Sequence, residues 1–252
     1  MEDKDYRAQL SIPEKHTLGC EVHDQMFRSG GQSDAKIHSV KFPSKLALQE
    51  TKLNEQRFLN AKEYNIVRRD RVSDGGGLIL LIRDVHFQRL PDICSDTSDF
   101  EYLGITVRSK DRTITIKNLY PPPNSQHLDA NIMGGLFDDN TIILGEFNAK
   151  NTTWGSTITN ARGLELSNLV NDKAFLCLND GTHTFRSNSY GSTDVLDLTF
   201  ISPGLFPYSS WRVLDNISSD HLPILVKIDL KVHCTGVKNL HWNFKKADWS
   251  LI

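Results

Sequence analysis

ILGEFNAKNTTWGS, residues 143–156, is the stretch on which the reading of this chain turns. Ile143-Leu144 closes the apolar run Thr141-Ile142-Ile143-Leu144, which reads as a buried strand. Gly145-Glu146-Phe147-Asn148 then leads the chain out of it. A carboxylate and a carboxamide at a strand end are groups that can handle a phosphate or a hard cation. They are also ordinary turn chemistry, so one such strand end carries little weight alone.

Working outward, three more strand ends have the same character. Leu46-Ala47-Leu48 reads as a short buried strand running into Gln49-Glu50-Thr51. The β-branched segment TITIKNLY (113–120) ends in Asn118-Leu119-Tyr120, where Pro121-Pro122-Pro123 stops the ladder. Ser219-Asp220-His221 precedes the apolar piece at 222–230. Asp197 is different, because it lies inside the apolar run Val195-Leu196-Asp197-Leu198-Thr199-Phe200. Alternation turns its side chain opposite to Leu196 and Leu198, and an ionised carboxylate there is costly unless paired with a base or a metal. Asp194, nearer the turn, reads as an exposed turn residue.

Other segments supply the frame. Gly75-Gly76-Gly77 leads into the buried strand Leu78–Ile82. It has neither the phosphate-loop pattern nor a following helix, which argues against nucleotide binding. Glu101–Val107 and Arg112–Leu119 form a hairpin. Residues 162–171 fit an amphipathic helix, residues 128–138 a helix weakened by Gly134-Gly135, and Lys52–Asn60 a short helix or turn. Strand-like pieces follow at 174–178, 182–186, 195–201, 211–214 and 222–230. About ten short strands against two or three helices predict two packed sheets with helices outside, not a βαβ repeat. Residues 1–44 read as irregular structure or weakly packed strands, with His16–Cys20 able to take a strand position.

Composition sets the bounds. The chain has 252 residues, 38% of them apolar and 24% charged, enough for a sizeable core and unlike a disordered chain. No apolar run exceeds five residues, against about 20 for a membrane span. The N-terminal MEDKDYRAQLSIPEK has no hydrophobic stretch of the signal-peptide kind. Cys20, Cys94, Cys177 and Cys234 are unpaired in spacing, which points to a reducing compartment and away from structural zinc. With 29 basic and 31 acidic residues the net charge is -2, so tight binding through many phosphates is not indicated by the total, whereas brief contact with DNA remains open.

Taken in order, ALQETKL (47–53), RRDRVSDGGGLILLIR (68–83), IKNLYPPP (116–123), ILGEFNAKNTTWGS (143–156), ARGLELSNLV (161–170), DLTFISP (197–203) and SDHLPILV (219–226) resemble the endonuclease/exonuclease/phosphatase family. The likeness is to the endonuclease domain of non-LTR retrotransposons of the jockey and R1 kind. It covers residues 45–230 and implies an α+β fold of two mostly antiparallel sheets flanked by helices, a four-layer αββα sandwich. WNFKKADW (242–249) looks like the start of a linker toward a reverse transcriptase, so residues 231–252 read as that linker.

The resemblance implies a Mg²⁺ or Mn²⁺ held by Glu50, with Asp220 beside the metal and nucleophile. Tyr120 would donate to or position the scissile phosphate, and Asn148 would hold a non-bridging oxygen or the attacking water. His221 would contact the phosphate, with Asp197 fixing its tautomer and favouring its protonated form. DNA is the implied partner, along with a reverse-transcriptase domain of the same element, and the implied place of action is intracellular, in the nucleus. Arg68, Arg69, Arg71, Asn151, Trp154 and Arg162 are candidates for DNA contact. All but Asn151 have a structural alternative: surface charge for the three arginines, packing beneath the Asn148 loop for Trp154, and a tie to that loop's carboxylates for Arg162.

Two departures bear on activity. The family's first strand carries an Asn near the metal and is followed by a helix leading to the QET strand, and nothing in residues 1–44 matches it. That element's absence would expose a sheet edge and remove a site residue. Glu146 also stands where the family has Asp, and its extra methylene moves the carboxylate by about 1 Å. The primary expectation is a metal-dependent DNA endonuclease that nicks target DNA. Its alternatives are an inactive relic that at most binds nucleic acid or protein, and a small-molecule phosphatase of the same fold.

Overall fold

The computed structural model describes residues 17–22, 44–54, 56, 59–70, 76–94, 100–108, 112–123, 127–187, 191–214 and 219–229. In chain order the strands are β1 (Thr17–Val22), β2 (Lys45–Leu48), β3 (Asn65–Arg69), β4 (Leu78–Ile82), β5 (Phe87–Arg89), β6 (Glu101–Arg108) and β7 (Thr113–Tyr120). After them come β8 (Thr141–Glu146), β9 (Leu176–Cys177), β10 (Phe185–Arg186), β11 (Thr193–Asp194), β12 (Asp197–Ile201), β13 (Ser209–Val213) and β14 (Ile224–Ile228). Two α-helices, α1 (Ala130–Gly134) and α2 (Ala161–Asp172), accompany them.

The strands form two six-stranded sheets, ordered β13-β14-β1-β2-β4-β3 and β5-β6-β7-β8-β12-β9, and β10 and β11 pair as a separate hairpin. The pairs β1–β14 and β7–β8 are parallel. Sequence alternation explains how the sheets stack. Leu78, Leu80 and Ile82 of β4 meet Leu103, Ile105, Ile116, Ile142 and Leu144 between the sheets. The intervening Ile79 and Leu81 face outward and pack with Leu48 and Ala61. Ile143 of β8 likewise turns away from the inner core, toward Phe147, Phe200, Leu166 and Val170. Strands covered on both faces read as continuous apolar runs, which is why LILLI and TIIL carry no polar alternation.

The outer layers differ from expectation in detail. α2 covers the second sheet with Leu166 and Val170. The described part of 52–60 contains no helix, and Leu53 and Leu59 cover the first sheet from an irregular turn. In 128–138 only Ala130–Gly134 is helical, ending where two glycines meet. Strands β3 and β5 were not anticipated. β5 is only three residues, and Arg68 and Arg69 of β3 read as a charged cluster rather than as part of a ladder.

The central position of the first sheet is not vacant. β1 lies between β14 and β2, so the expected exposed edge does not arise there. It pairs antiparallel with β2, placing Thr17 opposite Leu48. A strand–helix–strand crossover of the kind expected from the family would make these two neighbours parallel. The family's slot is therefore filled by a strand of opposite direction. Residues 230–252, including WNFKKADW, lie outside the described residues.

Candidate active site

The registers bring seven strand termini to one end of the sandwich. β2 ends at Leu48 against Ile79, near the start of β4. In the other sheet, Tyr120 at the end of β7 faces Glu101, Leu119 lies beside Gly145, and Glu146 faces Asp197. β14 begins just after His221. The close approach of β7 and β8 requires a glycine: a Cβ on Gly145 would sit 2.0 Å from the Leu119 carbonyl oxygen.

Two side-chain pairs stand at this end. The Tyr120 hydroxyl donates to Glu50 Oε1, across the two sheets. Burial first, then the hydrogen bond and charge of Glu50, with Glu146 and Glu101 beyond, push the phenol pKa far up. Tyr120 therefore stays a proton donor. The second pair is His221 Nδ1 with Asp197 Oδ2 at 2.7 Å, residues only 4% and 2% exposed. Burial pushes the imidazole pKa down, but the charge and hydrogen bond of Asp197, then Glu146 and Asp220, more than offset it and leave it raised. Phe185 packs its ring edge-on to His221 at 4.9 Å, and the His221 amide donates to Ser219 Oγ.

Asn148 and Glu50 have left-handed backbones, with φ of 51° and 49°. Non-glycine residues in that region are uncommon and gather where surrounding structure holds them. The Asn148 side-chain nitrogen is buried and has no hydrogen-bond partner among the described residues. Glu146 is buried at the end of β8, and Asp220 is partly exposed, its carbonyl accepting from the Arg186 amide at 2.7 Å.

Several of the other singled-out residues make structural contacts. Arg162 is buried, and its bonds to the Asn148 loop go to a carbonyl, that of Phe147 at 3.1 Å, not to carboxylates. Trp154 is buried against Phe200, its indole N–H donating to the Ala149 carbonyl, and Asn151 is buried capping the short helix Thr152–Trp154. These two are packing and capping groups as well. Arg68 pairs with Asp70 at 2.5 Å and Arg69 reaches Asp92 at 3.9 Å; Arg71 lies outside the described residues. Asp194 is buried, not an exposed turn residue. Burial pushes its carboxyl up, but Lys150, Ser156 and the Val195 amide outweigh that and hold it low.

Other groups organise the site without having been singled out. Thr184 is fully buried and its hydroxyl accepts from both the Leu196 and Asp197 amides at 3.0 Å, fixing the start of β12. Asn118 accepts from the Gln49 amide and donates to the Leu48 and Ile79 carbonyls, joining the two sheets directly behind Glu50 and Tyr120. Asn118 was visible as a polar strand end, whereas no spacing rule in the sequence marks Thr184.

Known proteins agree with this architecture. A family model described as endonuclease-reverse transcriptase matches residues 114–225. The RNA-directed DNA polymerase from mobile element jockey of Drosophila melanogaster is 28% identical over 173 residues, 66% of this chain and 18% of the relative. Its counterpart from Drosophila funebris is 24% identical over 168 residues, again 66% and 18%. The chain thus spans under a fifth of the length of these relatives. Among solved structures, the endonuclease domain of TRAS1, a telomere-specific non-LTR retrotransposon, superposes with a TM-score of 0.60 at 20% identity, covering 68% of this chain and 82% of that one. A Neisseria 3′ phosphatase, NExo, bound to product DNA hairpin, gives 0.57 at 18% identity, covering 76% and 91%. The chain thus has the α+β sandwich fold of the TRAS1 endonuclease domain and is similar in sequence to the jockey mobile-element proteins.

Proposed function

We propose that this domain hydrolyses phosphodiester bonds in DNA, as an endonuclease that nicks one strand to leave a 3′-hydroxyl for reverse transcription. The observation that carries the reading is the buried, unpartnered amide nitrogen of Asn148 on a left-handed backbone. Glu50–Tyr120 and Asp197–His221 stand at the same end of the sandwich. An unpaired donor held in a sparsely populated conformation suits an anionic oxygen that arrives with the substrate.

Hydrolysis needs a water in line with the leaving oxygen and positive charge where the phosphate gains negative charge. Imidazolium at His221, favoured by Asp197, supplies charge on one side. Tyr120 donates a hydrogen bond and cannot lose its proton near neutrality. Asn148 orients a phosphate oxygen or the water. Among the described residues no group of three or more His, Cys, Asp or Glu is gathered as a metal site. Mg²⁺ needs no such cage, since it keeps several waters and takes one or two carboxylates with the substrate phosphate. Glu50, oriented by Tyr120, fits that requirement, with Asp220 the second candidate. Bound Mg²⁺ or Mn²⁺ would supply Lewis acidity at the phosphate.

A labelled DNA duplex incubated with the protein and Mg²⁺, or with EDTA, tests the reading. Cleavage yielding polymerase-extendable 3′-hydroxyl ends, abolished by EDTA and by Glu50→Gln, is expected. Folded protein that leaves the duplex intact in Mg²⁺ and Mn²⁺ would overturn it. A 3′-phosphorylated oligonucleotide in parallel separates nuclease from phosphatase action.

A further inference from the structure

We propose that the first turn of α2 sets the separation of Tyr120 and Asn148, with Arg162 as the positioning residue. The inference rests on the nuclease reading for its catalytic consequence, but its structural part stands without it. Arg162 is 3% exposed. Its Nη1 donates to the carbonyls of Pro121 at 3.3 Å and Phe147 at 3.1 Å, and its Nη2 donates to Pro122 at 2.9 Å. Pro121 directly follows Tyr120, and Phe147 directly precedes Asn148. One planar guanidinium therefore spans the backbone leaving β7 and the backbone leaving β8.

The bonding needs explain why arginine stands there. Both strands have just ended, so these carbonyls have passed beyond their ladders, and Pro121 and Pro122 are buried. Buried carbonyls without donors are costly. A guanidinium carries five donors in a fixed fork and can serve three acceptors at once, whereas an ammonium is a point donor on a flexible stem.

Neighbouring residues lock the same turn onto the Asn148 loop. Asn160 Oδ1 accepts from the amides of Gly163 at 2.7 Å and Lys150 at 3.1 Å, and the Asn160 amide donates to Lys150 O at 3.0 Å. Asn151 returns a bond to the Gly163 carbonyl at 3.1 Å. A Cβ on Gly163 would lie 1.8 Å from the Lys150 carbonyl oxygen, so the helix touches the loop backbone to backbone. One turn on, Glu165 accepts from the Leu128 amide at 3.0 Å and pairs with His127 Nδ1 at 2.5 Å. ARG, residues 161–163, is thus a clamp for two site loops rather than only a helix start.

The test pairs amide hydrogen exchange with kinetics on Arg162→Met and Arg162→Lys. At least tenfold faster exchange at Phe147 and Lys150 is expected in both variants, with β6 unchanged. In the nicking assay, kcat should fall at least tenfold with KM within about twofold, and Arg162→Lys should recover part of the loss. Wild-type exchange at those amides in folded variants overturns the proposal, as does loosened exchange with unchanged kcat in an active enzyme. If Arg162→Met does not fold, Arg162→Lys carries the same measurements. An inactive wild-type chain overturns the nuclease reading alone, and exchange then decides the clamp.

Discussion

His221 and Asp197 are where pH acts on this site. The folded-state pKa of His221 is raised, so its protonated form contributes stability that is fully present below its unfolded value, about 6.5. That contribution is lost as pH climbs through the raised folded value. Removing the Asp197 charge should bring the imidazole midpoint down, because burial alone pushes it that way. An NMR titration of Asp197→Asn should therefore show His221 titrating at lower pH than in the wild type, and an unchanged midpoint would contradict the assigned cause. Glu146 is the other single residue with a directional outcome. If its added methylene misplaces a carboxylate that the reaction needs, Glu146→Asp should raise the nicking rate about tenfold or more. A fall in rate would mean that the surrounding site has adjusted to the longer side chain.

At the scale of elements, the apolar runs and polar strand ends were legible because strand burial and strand termination leave local marks. LILLI, TIIL and TITIKNLY appear as β4, β8 and β7, and the helix expected over 162–171 is α2. What escaped reading depends on contacts distant in sequence. Nothing near Arg162 announces the proline segment as a partner, and nothing near Asp194 announces Lys150. Asn151 looked available for DNA for the same reason, since a capping side chain is polar until its partner is known, whereas the packing reading of Trp154 beneath the Asn148 loop agrees with its buried indole. α2 itself offers a direct check. Leu166 is fully buried beneath it, and Leu166→Ala should lower unfolding stability by about 2–5 kcal/mol. Urea denaturation measures this. A cost below about 1 kcal/mol would mean that α2 is not anchored through this contact.

For the whole molecule, the decisive feature is that Glu50 comes from one sheet and Tyr120, Asn148 and Asp197 from the other, so the site exists only when the sheets are docked. The inner apolar core does most of that docking. Asn118 adds direction, because its bonds to the Leu48 and Ile79 carbonyls cross from the second sheet to the first. Asn118→Ala would orphan these carbonyls and the Gln49 amide, at about 1–3 kcal/mol for each group left unsatisfied. Thermal unfolding should drop by several degrees for a loss of that size, and no change would show that the bracket is not needed. The order of motifs implied the two packed sheets from sequence, but not which sheet carries which of these residues. The reversed direction of β1 was not legible, since strand pattern carries no sign of which way a strand runs in its sheet.

Cleavage of DNA at this end of the sandwich is open to a single assay. Nicking of supercoiled plasmid by the purified chain, with Mg²⁺ or EDTA and beside Asn148→Ala and His221→Ala, tests it most directly. Conversion to open circles is expected to require the metal and to fall by orders of magnitude in both variants. Folded wild-type protein that leaves the plasmid supercoiled, or variants that nick as well as the wild type, would contradict it.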